Sequence, residues 1–108
     1  MPAYAVAHLR SVDFGPAIIE YLQRIDATLE PYDGRFIVHG VQAEVMEGQW
    51  PGDIVVIAFP DLAAARAWYA SPAYQAILAL RTDHSQGDVI LVAGCGANHK
   101  GADLLAAA

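Results

Sequence analysis

Between Ala3 and Leu9 the side chains alternate, with Tyr4, Val6 and His8 on one side and Ala5, Ala7 and Leu9 on the other. A period of two predicts a first strand. The spacing then lengthens. Phe14, Ile18, Tyr21, Leu22, Ile25 and Leu29 recur every three to four residues, one apolar stripe along a helix. Asp13 is the expected cap, Pro16 falls in the first turn, where a missing N–H is harmless, and Pro31 stops the helix. Asp33-Gly34 predicts a turn into a second strand from Arg35 to about His39. Gly40 permits a bend, after which Ala43 to Glu47 resume an extended pattern, and Pro51-Gly52 predicts a hairpin turn.

A third strand, Ile54 to Phe59, is apolar at every position and ends at Pro60. Asp61 caps a second helix carrying Leu62, Ala65, Trp68 and Tyr69. Ser71-Pro72 supplies a fresh cap with proline at the first helical position, so the helix restarts at a new angle with Ile77, Leu78 and Arg81. Gln86-Gly87-Asp88 predicts a turn into a last strand, Val89 to Ala93. Nothing periodic follows, so residues 1–94 form the expected domain and 95–108 a flexible tail. The element order is β-α-β-β-α-β. Two right-handed crossovers place both helices on one face of a four-stranded antiparallel sheet, an α+β sandwich of the ferredoxin-like kind. The other sheet face then has no cover from its own chain. Yet Ile54 to Phe59 and Val89 to Ala93 are apolar on both sides, as strands buried above and below are. A symmetry mate is the simplest cover, so a homodimer through the sheet face is expected.

Composition sharpens this reading. The 108 residues are 56% hydrophobic and 17% charged, against about 25% charged in a typical globular domain. A chain of this size holds one modest core, and a subunit interface is the natural place for the apolar excess. A formal charge of -6 with no basic stripe argues against a nucleic-acid partner. No stretch approaches the ~20 apolar residues of a membrane span, and Met1 to Leu9 lacks a positive segment, so a soluble, cytoplasmic protein is expected. The single cysteine, Cys95, has no partner for an internal disulfide or a metal pair.

The runs DGRFIVHG (33–40), EVMEGQWPGDIVVIAFP (44–60), AARAWYASPAYQAI (64–77) and LR (80–81) succeed one another at spacings that resemble the family catalogued as domain of unknown function 1330, within the dimeric α/β-barrel superfamily. The resemblance covers roughly residues 3 to 94. It implies a ferredoxin-like subunit that dimerises sheet to sheet, with a cleft beside each half of the barrel, and it implies no settled reaction. Two positions depart from the family's pattern: Asp33 stands where the family usually has a glycine, and Ala58 where it usually has a carboxylate.

Candidate chemistry is sparse. Glu47, beside Gly48 near the expected hairpin, reads as a general base or as a counter-ion to Arg81 or Arg35, and equally as an ion pair that orients the hairpin. Arg81 ends the helical segment, where a cation suits the dipole, and it can also hold an anion bidentately. Arg10 and Arg35 are weaker anion holders. His8, on the face assigned to the cleft, and His39, at the end of the second strand, are candidate bases near neutral pH. As a pair on different strands they are a poor metal signal, so no metal is assigned and no cofactor is expected. Trp50 lies on a turn and can cover a pocket rim or reach a partner, whereas Trp68 reads as core. Tyr74 is expected to bond back to the backbone at the helix break. Phosphate-loop and nucleophile-elbow patterns are absent from the sequence. These residues point first to a homodimer of uncharacterised function with a cleft for a small organic ligand. The alternative is a cofactor-independent oxygenase or isomerase acting on a small aromatic or lactone substrate, with His8 as base, Arg81 as anion holder and Trp50 as lid. That alternative rests on superfamily analogy.

Overall fold

The computed structural model describes residues 1–106. Its elements run β1 (Ala3–Val12), α1 (Pro16–Leu29), a 3-10 turn (Glu30–Tyr32), β2 (Arg35–Val38), β3 (Asp53–Phe59), α2 (Leu62–Ala70), α3 (Pro72–Thr82), β4 (Ser85–Ala93) and α4 (Asp103–Ala106). The sheet order is β2-β3-β1-β4, with every pairing antiparallel. The two longest strands, β1 and β4, therefore lie side by side, and the short β2 forms one edge.

Register sorts the side chains. Ala5 lies opposite Ile57 on one side and Leu91 on the other, so these three share a face. On that face α1 sets down Tyr21, Ile25 and Leu29, α2 Ala65 and Trp68, and α3 Tyr74 and Ile77, which with Ala5, Ile57 and Phe59 make one buried core. All three long helices thus cover the same side of the sheet, as the element order requires. Complete burial of a side chain such as Ile77 is worth roughly 1.5–3 kcal/mol. The other face carries Tyr4, Val6, Ile54, Val56, Ile90 and Val92. No helix among the described residues covers it, and Ile90 and Val92 are 56% and 43% exposed.

Three local expectations need correction. Asp13 does not cap α1. The cap position falls on Gly15, which makes no side-chain bond, while the Asp13 N–H donates to the His84 carbonyl at 2.8 Å and ties the end of β1 to the α3–β4 turn. Residues Ala43 to Glu47 form no strand. The β2–β3 register slips between Phe36 and Val38, and Gly40, at φ 72°, turns the chain away from the sheet. Gln86 to Asp88 belong to β4 and are not a turn, since Gly87 pairs with Leu9 and Asp88 with His8. The reversal is completed earlier, where the His84 N–H donates to the Arg81 carbonyl. Within the segment expected as a tail lies the exposed single turn α4, and Ala107 and Ala108 lie outside the described residues.

Other expected signals act as anticipated. The Asp61 carboxylate accepts from the Ala64 N–H at 2.8 Å, and the Ser71 hydroxyl accepts from the Tyr74 N–H at 3.2 Å while donating to the Trp68 carbonyl at 2.7 Å. One serine thereby closes α2 and opens α3. At Gly52, φ is 84° and a Cβ would stand 1.9 Å from the Leu9 carbonyl oxygen, so only glycine fits where the chain enters β3.

Candidate functional site

The core face of β1 is lined by alanines, and this leaves space. Ala5 and Ala7 sit between Ile57 and Val55 of β3 and Leu91 and Val89 of β4, with little side chain to reach toward α1. A cavity of about 500 Å³ opens there, between the sheet and the α1–α3 pair. Its floor is Ala5, Ala7, Leu9, Val55 and Val89, its roof Ile18, Tyr21, Leu22 and Ile25 of α1, and its rim His39, Gly40, Val41 and Gln42. Most of the lining is hydrocarbon, and the volume lies within the ~300–1,000 Å³ usual for small-molecule sites.

The polar groups gather at one place in this wall. The Tyr21 and Tyr74 hydroxyls share a hydrogen bond of 2.7 Å, and both rings are buried. The Arg81 guanidinium stands over the Tyr21 ring, 5.8 Å from its centroid, and the residue as a whole is 9% exposed. Among the described residues no ion pair involves it. Burial, then the neighbouring Tyr74, pushes the Tyr21 phenol far above its usual range, so Tyr21 stays neutral at ordinary pH. Burial opposes the charged form of Arg81, but the Tyr74 and Tyr21 oxygens outweigh it and leave the arginine more basic than usual. Trp68 also lines the cavity. Its indole N–H donates to the Thr28 hydroxyl at 3.0 Å, and its ring centre lies 4.1 Å from that of Tyr74. Tyr74 was expected to bond to the backbone through its hydroxyl; the hydroxyl instead meets Tyr21, and only its backbone N–H serves the helix break.

Of the residues singled out in the sequence, Arg81 and His39 line the cavity. His39 sits at the rim, exposed, with its ring stacked on Phe36 at 4.3 Å. His8 and Trp50 lie together on the opposite, uncovered face. Their rings stack at 3.9 Å and 13°, and the His8 Nε2–H donates to the Pro51 carbonyl at 2.8 Å. The face assigned to the cleft from β1 parity is therefore the one turned away from this cavity. Arg10 pairs with Asp88 across the β1–β4 edge and is well exposed. Arg35 lies opposite Ala58, outside the cavity lining. Glu47 lies in the segment that leaves the sheet; it is exposed and joins none of the ion pairs among the described residues, so the expected pairing with Arg81 or Arg35 is not made. Ala58 alternates with the core residues Ile57 and Phe59 and so faces away from the cavity, as would a carboxylate at that position. Among the described residues there is no cluster of three or more metal-ligating side chains. Sequence reasoning passed over Tyr21, read as one member of an apolar stripe, and Thr28. The available signal was the alanine alternation in β1, which denies the central strand any bulk beneath α1.

A four-stranded antiparallel sheet in the order β2-β3-β1-β4, helices on one face and a cavity between the layers define a ferredoxin-like α+β protein. The chain belongs to the family described as domain of unknown function (DUF1330), whose model matches residues 2–95. No curated protein matches it significantly. Among solved structures it is similar to a Rhodopseudomonas palustris protein of unknown function, with 15% identity and a TM-score of 0.64 over 88% of this chain and 83% of that one. It is also similar to a variant of SnoaB, a cofactor-independent oxygenase from Streptomyces nogalater, with 15% identity and a TM-score of 0.60 over 92% and 98% of the two chains. A dimeric ferredoxin-like protein of unknown function from a Jannaschia species matches with 13% identity and a TM-score of 0.57 over 87% and 100%. At these identities the likeness is one of fold. No helix among the described residues is long and apolar enough to cross a membrane.

Proposed function

We propose that the protein works as a homodimer joined through its uncovered sheet face, and that each protomer binds a small, largely apolar organic molecule between the sheet and helices α1 and α3. The observation that carries this reading is the cavity of about 500 Å³, hydrocarbon-walled, with its polar groups collected at one point. Such a space favours a molecule that fills it with carbon and presents one polar group. The neutral fluorophore 1-aminoanthracene tests it. Saturable binding at one dye per protomer is expected, and Ala7→Phe, which fills the floor, should abolish it. Absence of saturable binding to the folded protein would refute the cavity reading. The homodimer draws support from the apolar patch around Ile90 and Val92 and from the dimeric Jannaschia protein of similar fold. Light scattering at micromolar concentration should return twice the protomer mass of 11.5 kDa.

The second reading, a cofactor-independent oxygenase or isomerase acting on a small aromatic or lactone substrate, is favoured by the fold shared with SnoaB and by the Arg81, Tyr21 and Tyr74 groups in an otherwise apolar wall. In this reading Arg81 steadies a substrate oxyanion and His39 at the rim takes up the proton. Oxygen uptake in the presence of an electron-rich phenol, lost in His39→Ala, supports it. A ligand that binds and is returned unchanged opposes it.

A further inference from the structure

We propose that the ligand of the α1–α3 cavity is an apolar, ring-sized molecule carrying a single anionic oxygen group, such as a carboxylate or an ionised enol, and that Arg81, Tyr21 and Tyr74 receive that group. The inference rests on the cavity reading and adds the chemical class.

An arginine as buried as Arg81, with 9% of the residue exposed, ordinarily sits against a carboxylate, because an unpaired buried charge is costly. Here none of the ion pairs among the described residues involves it. Its neighbours are two phenols, which bring oxygen atoms and no charge. The positive charge thus has no carboxylate partner among the described residues, and Arg81 lines the cavity. An anionic oxygen arriving there gains charge-assisted hydrogen bonds to the guanidinium. The tyrosine pair completes the receptor. With one hydroxyl donating to the other, one O–H is committed and the second remains available to the incoming oxygen.

The remainder of the wall sets the body of the ligand. Leu9, Ile18, Ile25, Val55 and Val89 offer only dispersion and burial, so polar rings such as sugars or nucleosides would strand their hydroxyls. Asp53 is the one carboxylate in the lining, exposed at the mouth. With a net charge of -6 behind it, it disfavours a phosphate or any dianion and admits a single negative charge.

The test compares isosteres. Calorimetric titration of the intact protein with 2-naphthoate and with neutral 2-naphthamide should give the acid an advantage of about tenfold or more. Arg81→Met should erase that advantage, bringing the affinity for the acid down to that for the amide. Tyr74→Phe should reduce it in part, and serves if Arg81→Met fails to fold. Equal affinity for acid and amide in the native protein, with the dye still binding, overturns the anion class and leaves the cavity reading standing. Failure of the dye and of both naphthalenes overturns the two together. An advantage that survives both substitutions overturns the assignment of these residues.

Discussion

Tyr21 buries its hydroxyl against Tyr74, so ionising it would leave a phenolate out of reach of water. Its raised pKa has a consequence for stability. Above pH ~10 an unfolded chain releases this proton and the folded chain keeps it, so the folded state binds more protons and stability falls as pH rises. The loss from this residue should approach about 1.4 kcal/mol per pH unit. Urea midpoints measured between pH 9 and 11 should show the slope, and Tyr21→Phe should flatten it. Asp33 offers a second case. It sits at φ 54°, in the left-handed region that glycine enters freely. Glycine suits that conformation, and Asp33→Gly should raise stability by up to about 1 kcal/mol in the same assay. Asp33 is the one non-glycine residue with positive φ among those described, and the Asp33-Gly34 turn was legible in the sequence. The role of Tyr21 was not. A tyrosine in an apolar stripe looks alike whether its hydroxyl meets water, backbone or another hydroxyl, because the partner, Tyr74, is supplied by a distant helix.

Periodicity locates the helices and β1, and an unbroken apolar run ending at Pro60 locates β3. Ser71 illustrates how a single residue can divide a continuous apolar stretch: with both its bonds made, α2 ends and α3 begins within one step. Ser71→Ala should cost about 1 kcal/mol through the lost cap, read as a lower urea midpoint with an unchanged slope. Gly52→Ala should cost more, about 2 kcal/mol or above, since the new methyl meets both an unfavourable φ and the Leu9 carbonyl. The segment from His39 to Gly52 was the element least legible in the sequence. Val41, Ala43 and Val45 alternate as a strand does, but alternation specifies a strand only where a neighbour offers a register. Beyond Val38 the slip in β2 and the turn at Gly40 remove that neighbour. The segment consequently wraps the sheet edge, with Gly40 and Val41 at the cavity rim and Trp50 on the opposite face. Parity alone therefore does not relate the two groups, and the fold sets His8 and Trp50 on the sheet face opposite Arg81 and His39.

The molecule's radius of gyration is 15.5 Å, against about 13 Å for a compact chain of this length. The 39–52 segment and the exposed tail account for an outline that extends to 49 Å in its longest direction. A protomer shaped this way has much of its surface in projections and in a bare sheet face, which is the form expected of half an assembly. Ile90→Lys, on the edge strand β4 of that face, should convert a dimeric mass to a protomer mass in light scattering while circular dichroism remains unchanged. The architecture and the oily outer sheet were legible in the residue pattern. The cavity was not, since it arises from what β1 omits, and an omission acquires meaning only when the opposing helix is in place. Ala5 and Ala7 thereby act as a gauge. A methyl at each sets the clearance beneath α1, and every carbon added there would be taken from the guest, so that two codons on the central strand suffice to regrade the bore of the site without disturbing the charge at its end.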